Sequence, residues 1–339
     1  MNVQVNVVNV LATVRDKHGK IVSDLGKNDF TLTEDGHPQT IRYFTRETDL
    51  PLSLGLLVDT SLSQTRVLDQ EKTASHSFLD QMVREDKDKA FIIHFDREIE
   101  LLQDFTSSHQ KLEAALEQLQ GAQYTQASTG STPDPYPGPG RGSGRHGGGG
   151  GTHLYDAVYL ATDEADGLMS KQQGRKALII LSDGVDHGSK ESLEGAIASA
   201  QRADTIVYSI LFKDDEGFGN QRGFGGPRIG MGGGGMGGPM GGGGMGRRGG
   251  GDRFPEQRPD GKKVLEQISK QTGGRLFEVS KKQPIDDIYS QIEEELRNQY
   301  SIGYTPARTG AAEGYHKIQL TTSRKDTSVQ TRDGYYAEH

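Results

Sequence analysis

The chain has 339 residues, room for two domains or for one large domain carrying insertions. Its formal net charge of −8 argues against nucleic acid as the main partner, and with no cysteine it can form neither disulfides nor thiolate metal sites. No apolar run nears the roughly 18 residues that a membrane helix needs, so no membrane span is expected.

The opening "MNVQVNVVNV" has no basic stretch followed by an apolar core, so no signal peptide is visible; a chain trimmed after such a peptide would look the same. Val3, Val5 and Val7 alternate, and Val8, Val10, Ala12 and Val14 alternate in the opposite phase, which predicts strand with a bend near Val7. "RDKHGK" supplies a turn around Gly19, and "DFTLTEDGHPQTIRYF" predicts two short strands about Asp35-Gly36.

From about Pro51 strands alternate with helices. "LSLGLLV" is an apolar run suited to a strand covered on both faces. Segment 67–82 sets Leu68, Phe78, Leu79 and Met82 on one helical face. "KAFIIHF" and "IELLQDF" follow so closely that one must run antiparallel. Helices are predicted over "SHQKLEAALEQL", "THLYDAVYLATDEADGLM", "KESLEGAIASAQRA", "KKVLEQISKQTGG" and "PIDDIYSQIEEELRNQ". Strands are predicted over "KALIILS", "TIVYSILF" and "RLFEVS". The alternation predicts a doubly wound, mostly parallel sheet with helices on both faces. After Asn298 the pattern returns to strands: "QYSIGYTP", "GYHKIQLTTS" and "VQTRDGYY".

The expected fold class is therefore α/β, with the doubly wound domain (51–298) inserted in a small β-sandwich built from both chain ends (1–50 and 299–339). Most of the 47 glycines fall in two blocks, 121–151 and 214–260, which lack the apolar residues to offset chain entropy and are expected to be disordered.

Ligands of such sheets sit outside the carboxyl ends of the strands, where strand order reverses. Asp59 ends one predicted strand and is followed by Ser61 and Ser63; Asp183 ends another, in "ALIILSDGVD"; Thr152 follows a glycine run and precedes a helix. If the two strands are neighbours, two carboxylates and three hydroxyls converge. An all-oxygen set of this kind suits a hard divalent cation.

Asp59-Thr60-Ser61-Leu62-Ser63 matches the D-x-S-x-S motif of von Willebrand factor type A domains, and Thr152 and Asp183 match the other two parts of that family's metal-ion-dependent adhesion site. This resemblance covers roughly residues 51–298 apart from the two glycine-rich blocks, and the whole chain, with "DFTLTEDGHPQTI" and "RDGYYA", resembles bacterial, acidobacterial-type members of that group. The resemblance implies that Ser61 and Ser63 bind the metal through their hydroxyls. Thr152 then binds directly or through water, and Asp59 and Asp183 hold coordinating waters. It implies a divalent cation, Mg²⁺ first with Mn²⁺ or Ca²⁺ as alternatives, and a non-enzymatic module that captures an Asp or Glu carboxylate of a partner protein. It also implies an extracytoplasmic or secreted bacterial protein. The alternative in this family is an accessory subunit of a chelatase-like machine acting with an ATPase partner.

Other readings are weaker. "VDTS" resembles the motif of aspartic proteases, which would pair Asp59 with Asp183, but those enzymes are all-β. No glycine run leads into Gly-Lys-[Ser/Thr], so a P-loop is absent. His146, His153 and His187 do not match a zinc-ligand spacing. Asp186 is a further oxygen donor or a turn residue, and Tyr300, Tyr304, Tyr315, Tyr335 and Tyr336 read as sandwich-face aromatics.

Overall fold

The computed structural model describes residues 7–46, 49–119, 151–212, 260–306 and 314–337. The expectation of disorder in the two glycine-rich blocks falls outside those residues, apart from Gly151 and Asp260.

The amino-terminal strands are β1 (Val8–Asp16), β2 (Phe30–Glu34), β3 (His37–Gln39) and β4 (Ile41–Thr45). Next come β5 (Leu52–Asp59), α1 (Leu68–Met82), β6 (Lys89–Phe95), β7 (Ile99–Thr106), α2 (His109–Leu116) and α3 (Leu154–Thr162). They are followed by β8 (Arg175–Leu181), α4 (Leu193–Arg202), β9 (Thr205–Phe212), α5 (Gly261–Thr272), β10 (Leu276–Val279) and α6 (Ile285–Arg297). The chain ends in β11 (Tyr300–Tyr304), β12 (Gly314–Thr322), β13 (Thr327–Thr331) and β14 (Gly334–Ala337).

The central sheet has the order β10-β9-β8-β5-β6-β7. All its neighbours are parallel except β6 and β7, the tight pair that the short "DRE" gap requires. Every residue of β5 is buried. Leu52, Leu54, Leu56 and Val58 enter the core layer that also holds residues of α1, α2 and α6, and Leu57 enters the layer shared with α3, α4 and α5. A strand with helices over both faces needs apolar residues in both phases, hence the unbroken run. Gly55 breaks that run for a steric reason: a Cβ there would lie 2.3 Å from a Phe91 ring carbon and 2.5 Å from Leu178 Cδ2. The chain leaves β5 for β6 and β7 on one side and returns to β8 on the other, so strand order reverses between β5 and β8.

Two antiparallel sheets are built from both chain ends. One has the order β13-β1-β11-β4 and the other β14-β12-β2-β3. Val10, Val14 and Ile302 from the first pack with Leu32, Ile318 and Leu320 from the second in one core, making the expected sandwich. Tyr300 pins it: its ring packs edge-on against Phe30, and its hydroxyl donates to Val22 O at 2.9 Å and accepts from Leu25 N at 3.0 Å.

Three local expectations are corrected. "DFTLTEDGHPQTIRYF" yields three strands, because the chain crosses from β3 in one sheet to β4 in the other at Thr40. "VQTRDGYY" is broken into β13 and β14 in different sheets; the corner is held by Asp333, which donates its N–H to Gln271 O and accepts from Ile318 N. The helix predicted to start at Thr152 spans only Leu154–Thr162 and stops at Asp163, whose carbonyl accepts from Gly167 N. The predicted bend near Val7 involves residues 1–6, which lie outside the described residues.

A buried acid is among the ties between sandwich and α/β sheet. Glu295 of α6 is fully buried and pairs through Oε1 with Arg15 of β1 and with Arg275 Nε at 3.0 Å. Its Oε2 accepts from Tyr208 of β9 at 3.0 Å. Removing the acid strands two guanidinium groups, an effect that typically costs about 3–5 kcal/mol in buried pairs. Glu295→Ala is expected to lose that much unfolding free energy in urea denaturation. A loss below roughly 1 kcal/mol, the scale of an exposed pair, would show that the contact does not tie the two parts together.

Candidate functional site

The neighbouring parallel strands β5 and β8 end side by side, with Val58 in register with Leu181. Asp59, the last residue of β5, is completely buried. Each of its oxygens is held: Oδ1 accepts from Ser61 N at 3.0 Å, and Oδ2 accepts from Ser182 Oγ at 2.6 Å. The first bond turns the chain sharply as it leaves the sheet, and it sets Ser61 Oγ 3.0 Å from Ser63 Oγ.

Asp183 follows Ser182 and is half-buried; its Oδ1 accepts from Val185 N at 2.9 Å. The chain can turn at Gly184 because that residue is left-handed (φ 78°) and lies against the start of α5, where a Cβ would sit 2.1 Å from Gly261 O. Thr152 is buried and positioned by the loop that follows Asp183: its N–H donates to His187 O at 3.0 Å and its carbonyl accepts from His187 N at 2.8 Å.

The structure therefore gathers Asp59, Ser61 and Ser63 with Ser182 in one hydrogen-bonded group. Asp183 is close enough for its charge to act on Asp59, and Thr152 is anchored to the loop running on from Asp183. Asp186 serves as a brace: Oδ1 accepts from Tyr155 N in the first turn of α3 and from Ser189 Oγ at 2.6 Å. Among the described residues, His153 and His187 do not join a cluster of metal-ligating groups. The protease-type alternative fails on fold, since Asp59 and Asp183 sit on an α/β sheet.

Sequence reasoning missed two residues. Ser182 was hidden in plain view beside the acid of "SDG". Glu71 of α1 is fully buried, and neither carboxylate oxygen has a hydrogen-bond partner. It occupies the helix's inward stripe, three residues after Leu68 and four before Ser75, and an acid on an apolar stripe was the available signal.

The electrostatics of this end of the sheet are those of excess negative charge in a dry place. Burial pushes the Asp59 carboxyl up to about 7, against the hydrogen bonds from Ser182 and Ser61 that favour its charged form; the charge of Asp183 adds to the rise. Burial likewise holds Glu71 well above the usual carboxylate range, and the charges acting on it, those of Asp59 and Asp183, are both negative.

No protein-family model matches the chain, and no curated protein matches it. Among solved structures, proximal thread matrix protein 1 of the mussel byssus is similar at 12% identity over 78% of this chain and 51% of that one, with a TM-score of 0.44. This chain thus spans about half the length of the mussel protein, which has also been solved with a zinc-occupied MIDAS motif. An aerotolerance-related membrane protein of Bacteroides fragilis is similar at 17% identity over 72% and 98% of the two chains, with a TM-score of 0.43. A von Willebrand factor type A protein of Catenulispora acidiphila is similar at 9% identity over 99% and 75%, with a TM-score of 0.47. By its own strand order and its two helical layers, the α/β part of this chain is the doubly wound, mostly parallel sheet that the sequence predicts.

Proposed function

We propose that Asp59, Ser61, Ser63, Thr152 and Asp183 hold a divalent cation, Mg²⁺ in the first place and Mn²⁺ or Ca²⁺ as alternatives, and that the protein uses it to capture a carboxylate of a partner protein. The observation that carries this reading is the 3.0 Å between the hydroxyl oxygens of Ser61 and Ser63. Two adjacent ligands at right angles, each about 2.1 Å from an octahedral Mg²⁺, stand about 3 Å apart. The donor set is oxygen throughout, as a hard cation prefers. The buried acids Asp59 and Glu71 hold their protons more tightly than usual, so a cation that takes the proton's place compensates them, and the two oxygens of Glu71 lack a hydrogen-bond partner.

Hydroxyls and waters, being neutral, leave a divalent ion with unsatisfied charge, and an anionic oxygen from outside is the natural remaining ligand. Specificity then falls to the loops at this end of the sheet. Binding without catalysis is part of the proposal; beside the group, the Thr60 hydroxyl lies 3.1 Å from His94 Nδ1, but Thr60 is buried. A secreted, adhesive setting is part of the same proposal. The solved relative with zinc in its MIDAS motif agrees with metal chemistry at such a site. No helix among the described residues is long and apolar enough to cross a membrane.

Two measurements test the site. In calorimetric titration with Mg²⁺ and Mn²⁺, Asp59→Ala is expected to lose roughly 10–100-fold in affinity, as when the outer support of a metal ligand is removed. Unchanged affinity would remove Asp59 from the site. The second concerns the metal-free state, in EDTA. An acid whose folded value is raised contributes its stability at low pH and loses it as pH climbs from the unfolded value to the folded one, here between about 4 and about 7. Wild type is expected to lose up to roughly 4 kcal/mol more than Asp59→Asn over that window. Parallel profiles for the two proteins would show that Asp59 ionises without penalty.

A further inference from the structure

At the edge of the sandwich, the β2–β3 hairpin meets β12. Glu34 ends β2, and Asp35 occupies the turn in a left-handed conformation (φ 49°) ahead of Gly36 (φ 80°). Ile318 of β12 is in register with Glu34, which brings His316, two residues earlier, to the turn. His316 Nδ1 lies 2.8 Å from Asp35 Oδ2 and 3.5 Å from Glu34 Oε1. One ligand atom from each of the three lies within 4.8 Å of the others.

Glu34 and His316 are buried, whereas Asp35 is exposed. The Tyr335 hydroxyl donates to Glu34 Oε1 at 3.2 Å, and the His316 ring stacks on that of Tyr335. Glu34 Oε2, however, is sealed from solvent with no hydrogen bond of good geometry, and what faces Glu34 there is the buried Tyr304 hydroxyl, which brings no positive charge. Two carboxylates against one imidazole leave the group short of positive charge even when the imidazole is protonated.

We propose that Glu34, Asp35 and His316 form a second cation site, taking a borderline divalent ion of the zinc class. Zinc binds imidazole nitrogen and carboxylate oxygen at about 2.0–2.2 Å, so neighbouring ligands of a tetrahedral ion stand roughly 3.3 Å apart. The His316–Glu34 separation of 3.5 Å already fits. The His316–Asp35 separation is shorter, a hydrogen bond in the ion's place, and Asp35 on an exposed turn can open it by a few tenths of an ångström. The imidazole selects against Mg²⁺ and Ca²⁺, which favour all-oxygen sets like the one at the far end of the β5 sheet. The exposed side of Asp35 leaves a coordination position for water. Bound there, the ion staples an amino-terminal hairpin to a carboxyl-terminal strand and stabilises the closure of the sandwich by mass action.

The test uses the full chain carrying Asp59→Ala, which weakens the other site, titrated with Zn²⁺ by calorimetry and with Co²⁺ by visible absorption. One equivalent is expected to bind, with intense Co²⁺ bands and a raised melting temperature. Adding His316→Gln or Asp35→Asn is expected to weaken binding at least tenfold and abolish the bands. Asp35 is exposed, so its variant should fold even if His316→Gln does not. No zinc bound to Asp59→Ala, or binding and bands unchanged by Asp35→Asn, would overturn the proposal. The strand-end site is judged separately, by Mg²⁺ affinity in wild type against Asp59→Ala, so either site can fail alone.

Discussion

A carboxylate with no exposed surface, at the end of a strand buried along its whole length, is the constraint around which the rest is arranged. Asp59 can stay there because Ser182 and the Ser61 amide each hold one of its oxygens. Those same bonds turn the chain out of the sheet and present two hydroxyls side by side. The cost of keeping the acid dry appears in its raised affinity for a proton, which Glu71 shares. A buried charge persists in a protein when something compensates it. At this sheet edge the groups around Asp59 are hydroxyls, amides and further acids, so compensation falls to a proton or to a cation from solution.

Fold and site are linked through topology. Only where the chain leaves β5 to one side and returns to β8 on the other do two adjacent parallel strands end without a connection crossing between them. That gap lets loops from β5, β8 and the start of α3 converge. The sandwich lies behind: the chain passes from β4 into the start of β5 and from α6 into β11, and Glu295 and its arginines tie the junction. Because α6 carries both that acid and the core residues Ile288, Ile292 and Leu296, the helix belongs to both parts at once.

Much of this was legible in the residues. "LSLGLLV" followed by Asp-x-Ser-x-Ser announces a buried strand ending in chemistry, and the alternation of strands and helices predicts the doubly wound sheet. What stayed hidden depended on partners distant in sequence. Glu71 stands among Asp69, Gln70 and Lys72, and looks like one more surface charge until Leu68, Ser75 and Phe78 are known to face the core. The break between β13 and β14 is held by Gln271 and Ile318, and Asp333-Gly334 in "VQTRDGYY" was its local sign. Asp35 and His316, separated by 281 positions, meet only through the register of β2 and β12.

The central claim is that oxygen donors scattered from Asp59 to Asp183 serve one ion. Crystals grown with Mn²⁺ and measured at its absorption edge would locate that ion directly. The account predicts an anomalous peak in contact with Ser61 Oγ and Ser63 Oγ, with Thr152 and Asp183 joined to it directly or through a single water. A peak elsewhere, no peak at saturating Mn²⁺, or Thr152 lying beyond the reach of one bridging water would contradict it.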